Sequence, residues 1–301
     1  MKKQTKDKLV FWLFLAPALI SFIVVVIVPF FMGLYYSMTD WTAVADSTPN
    51  WIGLENYKSM FTDFAFRYSF LRTFLFTVMS VISINVVALT FAFLVTREIR
   101  FKNFYRAGFF IPNLIGGLVL GYIWQFIFKS VVPAIGGLFG IDFLEELLLL
   151  ADPNLTLLGL IFAFTWQYAG YIMMIYVAAL LNVPQELLEA SEIDGANFWQ
   201  KLWNITVPMI AQAFTITSFL TLINSFKQYD IIVALTNGGP TALYQGQTVN
   251  STELLAMHIY NVAFKYNNMA EGQARAIIFF LVLSVVSIAQ VYYNKKKEVE
   301  M

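Results

Sequence analysis

The chain contains no cysteine and a single histidine, His258, and only 13% of its 301 residues are charged. Without cysteine there is no disulfide framework, no thiol nucleophile and no cysteine-ligated metal. A single histidine also excludes catalysis or metal binding that depends on several histidines. Because soluble domains carry about 25% charged residues and this chain is 59% hydrophobic, the sequence predicts an integral membrane protein.

Long runs without charge dominate the chain. A bilayer requires about 20 apolar residues per helix, and six uncharged runs reach that length. They are residues 9–39, 73–96, 107–128, 153–185, 202–226 and 276–294. A seventh run, residues 231–252, is rich in polar residues and contains Pro240, so its second half is not expected to span lipid. We therefore predict an all-α membrane protein in which six transmembrane helices form one domain, residues 9–294.

The basic residues favour one side of the predicted membrane. Most of the 19 lie in the N-terminal segment 1–8, in the loop between the second and third helices, after the fourth helix, or in the tail 295–301. The positive-inside rule then places both termini in the cytoplasm. The first apolar run is longer than the roughly 7–15 residues of a signal-peptide core, so we expect an uncleaved first helix in a multi-pass protein of the cell (plasma or inner) membrane.

A charged segment, residues 184–208, interrupts the apolar runs between the fourth and fifth helices. Its composition favours a first helix, a break at Gly195, and a second short helix over residues 198–203 that Asn197 can cap. Pro208 is expected to open the fifth transmembrane helix. The segment carries four acidic residues and one basic residue. Membrane-surface helices usually favour Lys and Arg, so this composition predicts a protein partner.

Three motifs in this segment resemble the cytoplasmic loop of permease subunits of binding-protein-dependent ABC importers. They are Glu189-Ala190-Ser191, Asp194-Gly195-Ala196 and Ile205-Thr206-Val207-Pro208. Ser191 and Val207 replace the Ala and Leu that are usual in the family. Two other stretches, residues 53–57 (GLENY) and 226–240 (FKQYDIIVALTNGGP), are similar to motifs of the maltose-type, sugar-importing branch. The resemblance covers nearly the whole chain.

The resemblance also implies partners and site residues. The segment would be a coupling helix that seats in a cleft of a separate cytoplasmic ATPase, with the contact made by Glu189, Ala190, Ser191, Asp194, Gly195 and Ala196. That ATPase would bind ATP and Mg²⁺, and no cofactor is expected in this chain, which lacks the G-x-x-x-x-G-K-[ST] phosphate loop. A second homologous but non-identical permease, two ATPase subunits and an extracytoplasmic sugar-binding protein would complete the importer, and no nucleic acid is implied.

Two groups of residues in the predicted helices are candidates for a sugar pathway. In the fifth helix, a spacing of four, three and four residues puts polar side chains on one face; they are Thr217, Thr221, Asn224 and Gln228. The fourth helix combines aromatic rings with an amide, which suits the ring faces and hydroxyl edges of sugars; these residues are Trp166, Gln167, Tyr168 and Tyr171. Helix–helix hydrogen bonding and packing of aromatics remain open as alternatives.

The sequence leaves rival functions for comparison. An ABC permease for glycerol phosphate or a polyol would have the same architecture as one for an oligosaccharide. A membrane-embedded glycan-modifying enzyme would need clustered acids or histidines, and neither D-x-D nor H-E-x-x-H occurs. An ion-coupled transporter would need ionisable groups within its spans, which the six runs lack. We therefore predict a transport subunit and not an enzyme.

Overall fold

The computed structural model describes residues 3–43 and 48–295. In chain order, the α-helices are α1 Lys3–Phe22, α2 Val28–Tyr36, α3 Glu55–Thr62, α4 Phe64–Thr96, α5 Lys102–Phe110, α6 Gly117–Phe126, α7 Val132–Phe139, α8 Asp142–Glu145, α9 Thr156–Leu181, α10 Gln185–Ile193, α11 Phe198–Lys201, α12 Val207–Met209, α13 Ala211–Phe226, α14 Asp230–Leu235, α15 Leu255–Tyr260 and α16 Met269–Lys295. Strands β1 Thr241–Tyr244 and β2 Gln247–Asn250 form an antiparallel hairpin in which Ala242 pairs with Val249.

Wide helical turns join several of these helices into longer rods. π-Helical segments connect α1 to α2 (Ile23–Ile27), α6 to α7 (Ile127–Val131) and α11 to α12 (Leu202–Thr206). Within the described residues, the stretches long and apolar enough to cross a membrane are Asp7–Tyr36, Phe64–Thr96, Gly117–Phe139, Thr156–Leu181 and Met269–Asn294. A further pair, Phe198–Met209 and Ala211–Phe226, is bent by 72° at a short break. The predicted all-α membrane fold is confirmed, and the count of six helices holds when the bent pair forms one span.

The predicted bounds of the third span, residues 107–128, are wrong. Pro112 lies in a 3₁₀ turn, Ile111–Leu114, and the backbone is extended at Ile115 and Gly116, so α5 ends before the spanning stretch begins. The span then continues past Lys129 to the end of α7. The length of the charge-free run gave the wrong bounds for this span. A single exposed Lys does not end a helix, whereas a proline followed by extended backbone does.

The fifth span also begins differently from the prediction. The second short helix does not stop at residue 203, because α11 continues through the π-helical segment into α12 and ends at Met209. Pro208 lies just after the π-helical segment, near the end of this continuous helix, and does not open α13. The break falls at Ile210, and α13 carries the apolar stretch onward.

The fold divides into two compact units, of which the first comprises residues 1–64 and 259–280. There the GLENY motif, residues 53–57, hydrogen bonds to the backbone that follows α2. Asn56 Nδ2 donates to the backbone carbonyl oxygens of Ser37 and Thr39, both at 2.8 Å. In the same connection, the Asn50 side chain and backbone N–H both donate to the carboxylate of Asp40, and these bonds hold the pKa of Asp40 below its usual value.

The second unit comprises residues 65–258 and 281–301. Its core includes fully buried side chains from α4 and α9, among them Phe76, Ile84, Phe164, Ile172 and Tyr176. The short helix α14 is almost entirely buried and packs against α6. A Cβ on Gly121 would lie 2.5 Å from Ala234 Cβ, so the lack of a side chain there permits this close approach. The first half of the seventh uncharged run is thus a buried helix, and its second half is the hairpin.

Candidate functional site

The segment between α9 and α13 has the predicted helix–Gly–helix form. Gly195 separates α10 from α11 at φ +77°, a left-handed conformation that strongly favours glycine. Asn197 accepts a hydrogen bond from the Gln200 backbone N–H at 3.0 Å, and the Gln200 side chain accepts from the Asn197 N–H at 2.8 Å. This reciprocal capping box fixes the start of the second helix. The turn is therefore specified locally on both sides.

The predicted coupling residues do not all face the same way. Glu189, Ala190, Asp194 and Gly195 are exposed and Ala196 is half-buried. Ser191 is buried: its Oγ donates to the Leu188 carbonyl oxygen at 2.7 Å, and its own carbonyl accepts from the Ala196 N–H at 2.9 Å. Ser191 therefore supports the turn from inside, while its neighbours form the accessible surface.

The accessible surface contains large apolar side chains that the sequence analysis did not select. Ile193 is 89% exposed, and Phe198, Trp199 and Trp203 are more than half exposed. These four side chains, together with the acidic residues of α10, are termed the coupling surface below. Their signal in the sequence was the presence of isoleucine and tryptophan within an otherwise polar, charged segment. Such a combination is typical of a surface that another molecule covers.

Two polar side chains of α13, Thr217 and Thr221, contact neighbouring helices. Thr217 and Thr221 are fully buried. Thr217 Oγ1 donates to Tyr176 Oη at 2.7 Å, and Tyr176 Oη donates to Asn85 Oδ1 at 2.7 Å. Asn85 Nδ2 then donates to Thr221 Oγ1 at 3.2 Å. This polar network joins α4, α9 and α13. Asn85 and Tyr176 were missed by sequence reasoning because no local spacing connects three separate helices.

The other two members of the stripe lie apart from this network. Asn224 is half-buried and its Nδ2 donates to the Leu220 carbonyl oxygen at 2.9 Å. Gln228 is buried, but it follows the end of α13 and is not part of the helix. The structure therefore brings Thr217 and Thr221 together and leaves Asn224 and Gln228 in separate surroundings.

The α9 candidates occupy different faces of their helix. Gln167 is buried and its Nε2 donates to the Ile115 carbonyl oxygen at 2.9 Å. This bond gives a partner to a carbonyl group of the extended backbone before α6. Tyr168 and Tyr171 are half-buried beside the core. Trp166 is 41% exposed and packs edge-on against Trp124, with ring centroids 5.5 Å apart. These residues do not form a single cluster.

Trp166 does line a cavity of about 600 Å³ between α4, α5 and α9. The cavity walls are mainly apolar, and the lining residues with polar side-chain atoms are Ser83, Thr165 and Trp166. Ser83 Oγ and Thr165 Oγ1 lie 2.8 Å apart and hydrogen bond to each other. A cavity with aromatic walls and a few hydroxyl groups has the chemistry of a weakly polar ligand site.

Comparison with known proteins identifies close relatives over the whole chain. Residues 84–299 match the family described as "Binding-protein-dependent transport system inner membrane component". The chain is 45% identical over 299 residues, 99% of this chain and 98% of the relative, to the "Probable starch degradation products transport system permease protein AmyD" of Thermoanaerobacterium thermosulfurigenes. It is 32% identical over 288 residues, 96% of both chains, to the "Multiple sugar-binding transport system permease protein MsmF" of Streptococcus mutans serotype c.

The fold also resembles solved structures. One is a bacterial ABC transporter involved in the import of the acidic polysaccharide alginate, with a TM-score of 0.80, 19% identity and 98% of both chains covered. Another is a bacterial alginate ABC transporter in complex with an alginate pentasaccharide-bound periplasmic protein, with a TM-score of 0.75, 19% identity, and 97% of this chain and 94% of that chain covered. At this level of identity the similarity concerns the fold.

Proposed function

The chain belongs to the family of binding-protein-dependent transport system inner membrane components, and we propose that it is a transmembrane subunit of an ATP-driven sugar importer. As a member of this family it is a multi-pass membrane protein that acts in transport and is not an enzyme. The names of two relatives, which refer to starch degradation products and to multiple sugars, support a sugar, and an oligosaccharide in particular. A permease for glycerol phosphate or a polyol is the alternative.

The coupling surface is the observation that carries the mechanism. We propose that it seats in a cleft of a separate cytoplasmic ATPase, where Ile193 and Trp199 would be buried and the acids of α10 would meet basic groups. The helix that starts after Asn197 runs without interruption to Met209 and meets α13 at the 72° bend. A displacement of the coupling surface is therefore applied to the end of α13, which carries Thr217 and Thr221.

The proposed complex contains several further proteins. Two ATPase subunits would bind ATP and Mg²⁺, and this chain would hold neither. A second, homologous permease would supply the other half of the pathway, and an extracytoplasmic sugar-binding protein would deliver the substrate. The family description, which specifies binding-protein-dependent transport, supports the delivery protein. The basic N-terminal segment 1–8 and tail 295–301 support cytoplasmic termini.

We propose that Trp166 and the cavity beside it contribute to the sugar pathway. An aromatic face next to paired hydroxyl groups can contact both an apolar sugar ring face and its hydroxyl edge. Tyr168, Tyr171, Asn224 and Gln228 remain candidates for other conformations of the importer. In a transport assay, Trp166→Ala should raise the sugar concentration that gives half-maximal uptake. An unchanged concentration would remove Trp166 from the pathway.

The coupling proposal is tested by sugar-stimulated ATP hydrolysis. The chain is reconstituted with its ATPase, second permease and binding protein, and Gly195→Val is compared with Gly195→Asn. Both side chains are of similar size, and a Cβ at this position meets no atom within 4 Å, but Asn tolerates a left-handed backbone far better than Val. We expect Val to abolish most of the stimulation and Asn to retain most of it.

The outcomes separate coupling from substrate class. Equal stimulation in both variants and the wild type would show that the turn at Gly195 does not transmit the ATPase motion. Stimulation by glycerol phosphate or a polyol and not by sugars would replace the sugar assignment and leave the coupling role intact. Assembly of the complex is checked for each variant by co-purification with the ATPase.

A further inference from the structure

The short connection between α4 and α5 carries a concentration of positive charge. We term residues 97–106 the basic turn. It contains Arg97, Arg100, Lys102 and Arg106, against one acidic residue, Glu98. Arg97, Arg100 and Lys102 are exposed, and Arg106 is half-buried. The charge is thus presented outward and is hardly compensated within the turn.

Aromatic side chains are exposed among these charges. Phe101 is 65% exposed, Phe104 is 74% exposed and Tyr105 is 45% exposed. The Arg100 guanidinium carbon lies 5.0 Å from the centre of the Phe101 ring. Phe101 has φ +63°, a conformation that disfavours residues other than glycine. The fold therefore holds a bulky apolar ring on the surface directly beside a cation.

The basic turn has a defined position at the end of a spanning helix. The candidate span Phe64–Thr96 ends at the residue before Arg97. Arg106 Nη2 donates to the Val95 carbonyl oxygen at 3.0 Å, which fixes the first turns of α5 against the end of α4. Because α4 is long enough to cross the bilayer, the turn that follows it lies at a membrane boundary.

We propose that the basic turn is a binding site for the headgroups of anionic phospholipids in the leaflet that it borders. Aromatic rings are favoured at the level of the headgroups, and clustered Lys and Arg next to a spanning helix attract anionic lipid. The positive charge of the basic turn complements the negative charge of these headgroups. The coupling surface would repel them, because α10 and the adjoining Asp194 contain only acidic charges. This inference does not depend on the transported solute.

A single fluorescent label can report lipid selection at this site. The chain has no cysteine, so Asn103→Cys, at an exposed position in the first turn of α5, accepts one fluorophore. The labelled full chain is placed in phosphatidylcholine nanodiscs that contain a trace of either headgroup-spin-labelled phosphatidylglycerol or its phosphatidylcholine analogue. We expect the phosphatidylglycerol probe to quench several-fold more strongly. Raised salt should reduce this preference, because screening weakens surface attraction.

Three pairs of substitutions test whether the turn itself is responsible. Arg100→Gln with Lys102→Gln should lower the preference by at least about fivefold, since each basic residue near an anionic surface contributes about that factor. Lys58→Gln with Lys265→Gln removes the same charge from exposed positions elsewhere and should leave the preference unchanged. The charge-preserving pair Arg100→Lys with Lys102→Arg should also retain it. Thermal unfolding of each variant checks that the chain is folded.

Four results would overturn the proposal. Equal quenching by both probes in the labelled Asn103→Cys chain, with all four basic residues present, would mean that the basic turn does not select anionic lipid. A preference that is insensitive to salt, or that survives the two glutamine substitutions, would show that the lipid is selected elsewhere. Loss of the preference in the charge-preserving pair would mean that Arg100 and Lys102 act through the structure of the turn and not through charge.

Discussion

The absence of a single side chain at Gly170 allows α5 and α9 to approach closely. A Cβ built on Gly170 would lie 1.7 Å from the Phe109 carbonyl oxygen, and a backbone atom cannot move aside as a flexible side chain can. Gly108, one residue before Phe109, has no atom within 4 Å of the corresponding position. The same substitution should therefore have opposite effects at these two glycines.

We expect Gly170→Ala to lower the free energy of unfolding by about 1–3 kcal/mol or more, as overpacking does. Gly108→Ala should raise it by up to about 1 kcal/mol, because Ala is a better helix former than Gly. Thermal unfolding of the purified full chain in one detergent measures both. A shift of the same sign in the two variants would contradict the close contact between Gly170 and the Phe109 carbonyl.

At the scale of elements, the polar network is the clearest link between α4, α9 and α13. Tyr176 Oη donates to Asn85 and accepts from Thr217, so Tyr176→Phe removes both interhelical bonds while the ring still fills its place. Interhelical hydrogen bonds in membranes average about 0.6 kcal/mol each, and we expect a loss of about 1 kcal/mol in unfolding free energy. Tyr122→Phe, on an exposed ring of α6, is the matched control. Equal unfolding temperatures for the two variants would show that the network does not stabilise the bundle.

The elements also show which features local sequence could predict. The turn at Gly195 and the cap at Asn197 follow from the preferences of single residues for a left-handed backbone and for a helix start, and both predictions are confirmed. The third span was misplaced because a charge-free run continues across the break after Pro112. The partners of Thr217 could not be predicted, because Tyr176 is 41 residues away and Asn85 another 91 residues from Tyr176. Contacts across helices depend on their packing.

For the whole molecule, the number of crossings decides where the two ends of the chain lie. If the bent pair Phe198–Met209 and Ala211–Phe226 is one span, there are six crossings among the described stretches, and both termini lie on the same side. If the pair enters and leaves on one side, five crossings place the termini on opposite sides. Two candidate spans separate the basic turn from the coupling surface, so both lie on one side in either case, and the distinction decides only the side of the C-terminal tail.

Single cysteines in this naturally cysteine-free chain measure the topology directly. We expect a membrane-impermeant maleimide added to intact cells, or to spheroplasts where an outer membrane is present, to label Asp142→Cys and Gln245→Cys. It should label Asp7→Cys, Asn103→Cys and Glu300→Cys only after the membrane is permeabilised, because basic segments are retained inside. Gln185→Cys should behave in the same way, because two candidate spans separate it from the basic turn. Labelling of Asp7 and Glu300 from opposite sides would mean an odd number of crossings. Labelling of Gln185 from outside would separate the coupling surface from any cytoplasmic ATPase and contradict the proposed mechanism.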